Sequence, residues 1–103
     1  MFKNGMRVIM CNSLSYCGFG TLNGMSLRSR VWAELAERDD IRGWDAGKTI
    51  LTSRSHKVDI GPVYAKVYTN NNVYVCPTES YIETEKYCEE IKAQLGADLG
   101  LEE

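Results

Sequence analysis

The side chains best suited to chemistry in this chain lie in two short clusters and one aromatic stretch. "TSRSHK" (52–57) brings together Arg54, the single histidine His56 and Lys57. If the segment is extended, Arg54 and His56 share one face and Ser53, Ser55 and Lys57 the other, because strand side chains alternate. Arginine beside an aromatic surface is a common way to hold a phosphate, a base or a carboxylate. The aromatic surface is offered by "VYAKVYTNNNVYVCP" (63–77), with Tyr64, Tyr68, Tyr74 and, among them, Lys66. A plain strand edge guarded by charge explains "TSRSHK" equally well.

The second cluster is "CGFGTLNGMS", where Gly18, Gly20 and Gly24 make a G-x-G-x3-G, followed by Arg28 and Arg30. Glycines between a strand and a helix let the backbone approach a phosphate, with the helix N-terminus supplying donors. The spacing departs from G-x-G-x-x-G and the chain is too short for a dinucleotide fold, so a turn loop is the favoured reading. Arg28 and Arg30 keep an anion site open beside it.

Nucleophilic or acid–base catalysis has little to build on. One histidine is present, and no G-x-S-x-G, HExxH or Walker pattern. A Cys17–His56 pair has no support from spacing. The cysteines Cys11, Cys17, Cys76 and Cys88 are spaced C-x5-C and C-x11-C, without the close pairs that hold zinc. They read as small buried apolar residues, free thiols in a reducing compartment. No catalytic residue, metal or cofactor is expected.

These residues sit on a chain of 103 residues, 44% hydrophobic and 25% charged, with a net charge of −2. That is the composition of one globular domain, with room for a single modest core. No apolar run approaches the ~20 residues that span a bilayer, and the short apolar stretch near the start is too brief for a secretory signal. A cytoplasmic protein with no membrane partner is expected. The charge is uneven: residues 1–76 carry ten Lys/Arg against six Asp/Glu, and residues 77–103 two against eight. The acidic end includes Glu79, Glu83, Glu89 and Glu90, a solvated helix face or a surface for a basic partner.

The elements follow from periodicity. "MRVIMC" (6–11) reads as a strand and "NSLSYCGFGTLNG" (12–24) as a long loop. In "SLRSRVWAELAERDD" (26–40), Leu27, Val31, Trp32 and Leu35 form one helical stripe behind a Ser26 cap. "IRGWDAGK" (41–48) is a turn and "TILTSRSHKVDI" (49–60) is extended. A hairpin follows at 63–68 and 72–77, then a helix capped by Thr78 and ending at Gly96. The order β-α-β-β-β-α predicts an α+β fold, a small antiparallel sheet packed by two helices. Residues 1–96 make the domain and 97–103 an acidic tail.

The hairpin register can be tested against the hydrophobic pattern. A two-residue Asn70-Asn71 turn sets Tyr68 opposite Val73 and mixes both faces. A three-residue loop sets Val67 opposite Val73 and segregates them. That register places Val63, Ala65, Val67, Val73 and Val75 inside, with Tyr64, Lys66, Tyr68, Tyr74 and Cys76 on the other face.

Two resemblances bear on function. Residues 26–95 have the element order of a double-stranded-RNA-binding domain, but the basic second helix of that module is here acidic. The stretch "GKTILTSRSHKVDIGPVYAKVYTNNNVYV" (47–75) resembles strand patterns in small phage accessory proteins. Some of those are anti-defence factors that sequester nucleotide signals or block CRISPR effectors. The resemblance implies a non-enzymatic binding protein that sequesters a nucleotide-like anionic ligand. Its expected surface comprises Arg54, His56, Tyr64, Lys66, Tyr68, Tyr74, Arg28 and Arg30, in a homo-oligomer. The alternative is an inhibitor of a host defence protein, docking through the acidic helix with Glu79, Glu83, Glu89 and Glu90.

Overall fold

The computed structural model describes residues 6–17, 20–22, 24–83, 90, 93 and 100–101. Within them the chain is built from strands: β1 (Arg7–Cys17), β2 (Thr21–Leu22), β3 (Met25–Ser26), β4 (Arg30–Leu35) and β5 (Thr49–Leu51). Then come β6 (Lys57–Ile60), β7 (Tyr64–Tyr68), β8 (Asn72–Pro77), a 3-10 turn at Thr78–Ser80, β9 (Tyr81–Glu83) and β10 (Gly100–Leu101). The α+β expectation is therefore corrected. The described residues form a mixed eight-stranded sheet beside the small β2–β3 hairpin, and helical backbone appears only at Glu90 and Ala93 and in the 3-10 turn.

The large sheet runs β10-β5-β4-β1-β8-β7-β6, with β9 also on β1. Near its two ends, β5 and β6 are joined by residues 52–56. Thr52 N–H donates to Val31 O at 2.9 Å and Ser55 N–H to Ser29 O at 2.7 Å, so the chain leaving β5 stays along β4. His56 N–H then donates to Tyr68 O at 2.9 Å, and the chain passes over to β7. On the opposite side β8 lies parallel to Arg7–Met10 and β9 parallel to Leu14–Tyr16, with the 3-10 turn as the corner between them. The sheet thus curls into a barrel around one core.

The described residues show why the sequence periods misled. In β1 the register steps from Cys11↔Leu35 to Ser13↔Glu34, a bulge at Asn12. A bulge inserts one residue and reverses the faces beyond it. Hence Ile9 and Cys11 point into the core, and so do Leu14 and Tyr16, one residue out of phase with them. The segment read as a loop is mostly strand. β4 is buried on both faces, with Val31, Ala33 and Leu35 in the barrel core. Trp32 lies outside it with Cys17, Leu27 and Leu51, covered by Leu22 and Met25 of the β2–β3 hairpin. A strand buried on both sides has no alternation, and its apolar run also satisfies an i, i+4 stripe. Ser26 caps no helix; it is the last residue of β3.

The second expected helix is corrected over its first residues, where a 3-10 turn at Thr78–Ser80 and the strand Tyr81–Glu83 stand instead. Thr78 donates from Oγ1 to Gly61 O at 2.7 Å and from N–H to Val63 O at 3.0 Å, pinning the β8–β9 corner to the tip of the β6–β7 hairpin. The rest of that helix, 84–89, 91–92 and 94–96, lies outside the described residues apart from Glu90 and Ala93. Within the expected tail, Gly100 and Leu101 pair with Ile50 and Leu51. A Cβ at Gly100 would lie 2.9 Å from Ile50 Cγ2, so only glycine lets β10 come this close.

The β7–β8 hairpin is where expected, but its register is the mixed one: Tyr68↔Val73, Val67↔Tyr74, Lys66↔Val75 and Ala65↔Cys76. Thr69 N–H donates to Asn72 O at 2.9 Å and closes the turn around Asn70-Asn71. Ala65, Val67, Tyr74 and Cys76 therefore face the barrel core, while Tyr64, Lys66 and Tyr68 take the opposite face with Val73 and Val75, which are buried there.

Cys11, Cys17 and Cys76 are buried free thiols, as their spacing suggested; Cys88 lies outside the described residues. Burial pushes the Cys11 thiol up to about 12 and the Cys76 thiol up to about 11. At mildly alkaline pH both are expected to resist iodoacetamide in the native protein and to alkylate fully in urea. Peptide mass spectrometry reads this directly, and rapid native modification of Cys11 would contradict the inward orientation of β1.

Candidate functional site

Two polar assemblies stand at different places on the barrel. The first surrounds Asp39, whose side chain is only 4% exposed. Its carboxylate accepts from Arg7 Nη1 and Nη2, both at 3.1 Å, and from Arg42 Nε at 2.6 Å. Arg42 also donates from Nη1 to Tyr74 Oη at 3.2 Å, and its guanidinium stacks 4.2 Å from the Trp44 ring centroid. Asn72 Nδ2 donates to the same hydroxyl at 3.4 Å. Burial raises the Asp39 carboxyl, but the bonds from Arg7 and Arg42 outweigh it and hold the group well below the usual carboxylate range. Asp39 and Trp44 also exchange backbone hydrogen bonds of 2.8 and 3.1 Å, folding the β4–β5 connection back on itself. Both arginines are committed to one carboxylate, and the hollow beside them holds about 90 Å³, too small for a metabolite. This assembly joins the β4–β5 connection to β1 and β8.

The second is a cleft of about 360 Å³, lined by Tyr16, Ser29, the Ser55–Val58 segment, Tyr81 and Glu83. Its walls come from distant parts of the chain. Tyr16 is placed by its pairing with Val31 of β4 and Glu83 of β9. Tyr81 and Glu83 are two apart on β9 and share a face; Tyr81 Oη donates to Glu83 Oε2 at 3.0 Å. Burial, then the Glu83 bond, raises the Tyr81 hydroxyl far above its ordinary value, so it stays a donor. Ser29 holds φ at 63°, the left-handed region, and turns its carbonyl toward Ser55 N–H. His56 Nε2 lies 3.1 Å from Thr69 O. A carbonyl only accepts, so Nε2 carries the proton and Nδ1 is the acceptor.

This arrangement answers the expectations residue by residue. The Ser55–Ser29 hydrogen bond brings the two basic clusters together, with Arg28 and Arg54 exposed on residues flanking the bonded serines. Arg30 is used inside the fold, donating from Nε to Ser26 O at 2.9 Å and from Nη1 to Thr52 O at 3.1 Å. Tyr74 is fully buried, which removes it from any surface. Tyr64, Lys66 and Tyr68 share the outer face of β7, where Tyr68 carries Lys57 Nζ 5.3 Å from its ring centroid. The acidic positions do not share one helical face: Glu79 is exposed in the 3-10 turn, Glu83 lines the cleft, Glu90 is exposed and Glu89 lies outside the described residues.

Sequence reasoning missed Tyr16 and Tyr81. The alternation Leu14-x-Tyr16 was a signal, hidden by the bulge at Asn12; Tyr81 falls within the helix expected between Thr78 and Gly96. Among the described residues no group of His, Cys, Asp and Glu is placed to hold a metal ion, and no helix is long and apolar enough to cross a membrane. The cleft offers two aromatic rings, a carboxylate acceptor, an imidazole and exposed guanidinium groups on adjoining residues. Comparison with family models finds no match, and comparisons with curated proteins and with solved structures find none either.

Proposed function

We propose that the chain is a non-enzymatic binding protein that holds a small anionic, nucleotide-like ligand in the cleft between Tyr16, His56 and Tyr81. One observation carries the reading: the Ser55–Ser29 hydrogen bond of 2.7 Å draws the segments bearing Arg28, Arg54 and His56 to a cleft that already contains two tyrosines and Glu83. Each component answers one part of a nucleotide. Tyrosine rings stack on a base. Glu83 accepts from a base amino group or a ribose hydroxyl. The arginines attract phosphate, and His56, fixed through Nε2 to Thr69 O, presents Nδ1 to a ligand donor. The volume, about 360 Å³, lies within the range of small-molecule sites. The resemblance of residues 47–75 to phage accessory proteins gives this binding a setting, sequestration of a nucleotide signal in the cytoplasm of a host. The free thiols Cys11, Cys17 and Cys76 fit that reducing compartment.

The test is calorimetric titration and thermal shift with a panel of mononucleotides and with inorganic phosphate. Saturation at 100 times Kd is expected to stabilise the fold by about 2.7 kcal/mol. Tyr81→Ala and His56→Ala are each expected to weaken binding about tenfold or more, equivalent to about 1.4 kcal/mol. Arg54→Ala, at the rim, should cost less and mainly in low salt. No shift with any member of the panel, together with unchanged behaviour of Arg54→Ala, would sink the proposal.

A further inference from the structure

We infer that two copies of this chain associate edge to edge through β6, on a two-fold axis at Val58. The hydrogen-bonded path of the sheet ends at β6, whose only strand partner among the described residues is β7. Which of its backbone groups face away follows from parity. Gly61 N–H donates to Tyr64 O at 2.9 Å, closing the β6–β7 hairpin. In an antiparallel pair, bonded and non-bonded residue pairs alternate. Asp59↔Lys66 and Lys57↔Tyr68 are then the bonded pairs, and Val58 and Ile60 turn their N–H and C=O outward. An exposed edge of this kind is a template for a further strand; Lys57 and Val58 also line the cleft, so a strand docked here and a ligand bound there exclude each other.

The sequence Lys57-Val58-Asp59-Ile60 selects the partner and the register. Bonded pairs across a new interface must join outward-facing residues, which leaves three symmetric or near-symmetric choices. Ile60 opposite the partner's Ile60 brings Pro62 into the ladder, where it has no donor. Val58 opposite the partner's Ile60 sets Asp59 against the partner's Asp59, like charges at close range. Val58 opposite the partner's Val58 sets Lys57 against the partner's Asp59, and by symmetry Asp59 against the partner's Lys57. These are non-bonded pairs, in which cross-strand side chains approach most closely. Both residues are exposed, and neither has an ion-pair partner within its own chain among the described residues. Ile60 and Val63, 55% and 63% exposed, extend the same edge with apolar surface. The motif is complementary to itself, which is what an isologous interface requires.

The experiment is light scattering after size exclusion, with sedimentation equilibrium over a concentration series, on the full chain. The wild type is expected to dimerise. Lys57→Asp and Asp59→Lys each place like charges across the axis and are expected to raise the dimer dissociation constant about tenfold or more. Mixing the two variants makes both cross-strand pairs complementary again, so the equimolar mixture is expected to recover a dimer; recovery also shows that both variants are folded. Val58→Pro, which removes the outward donor, is expected to be monomeric. A wild type that stays monomeric throughout the series overturns the inference. So do single reversals that leave the dimer intact, or a mixture that binds no more tightly than its components.

Discussion

Asp39→Asn is expected to destabilise the protein by about 3 kcal/mol at neutral pH, a large share of the total stability of a domain this size. The substitution preserves shape but removes the charge that neutralises two guanidinium groups. Arg7 and Arg42 are then left beside a neutral amide, and Arg42 is only 19% exposed. Losing one partner of a buried ionic group costs more than the pair contributes, because the remaining charge stays desolvated. The pH dependence gives a sharper signature. The folded state holds the Asp39 carboxyl below its ordinary range, so its stabilising contribution is complete above the unfolded value of about 3.9. It is lost as pH falls through that value toward the folded one. The wild type should therefore lose urea resistance below about pH 4, and Asp39→Asn should show a flatter profile, with the gap between the two narrowing in acid. Equal urea midpoints at pH 7 would show that the Arg7–Asp39–Arg42 contact is cosmetic.

Leu14→Ala is expected to cost a similar amount, about 3 kcal/mol within a usual range of 2–5. Leu14 is fully buried just beyond the bulge, paired with Ala33 of β4 on one side and Tyr81 of β9 on the other. Ala33 is too small to fill the space, and the strands on both sides are fixed by their ladders, so a cavity remains. Because Tyr81 forms a wall of the cleft, the same substitution should also weaken ligand binding, whereas Asp39→Asn should leave it unchanged. Denaturant titration supplies the first readout and calorimetry the second. A Leu14→Ala protein as stable as the wild type would place Leu14 outside the core and refute the bulge at Asn12.

The strands at 49–51, 57–60, 64–68 and 72–77 were legible because each is short, β-branched and bounded by turn residues. The first helix was misread because β4 is buried on both faces, and Leu27, Val31 and Leu35 fit either period. The register of "VYAKVYTNNNVYVCP" was misjudged for a different reason. Sorting valines from tyrosines ranks residues by polarity alone, and so sends Tyr74 outward. In the fold Tyr74 points inward because Arg42 and Asn72 meet its hydroxyl. Arg42 comes from 32 positions away, so local pattern holds no trace of it. The basic cluster at 52–57 was recognised as chemistry-bearing, and Arg28 was named with it. Their meeting at the Ser29–Ser55 hydrogen bond, and the tyrosines opposite, required the barrel.

The claim that the ligand occupies the barrel cleft, and not the outer tyrosine face, is tested most directly by amide chemical-shift mapping during a mononucleotide titration. The cleft predicts saturable shifts at Tyr16, Ser29, Ser55–Val58 and Tyr81–Glu83, with Tyr64 and Lys66 unmoved. Shifts confined to Tyr64, Lys66 and Tyr68, or none at saturating nucleotide, would contradict it.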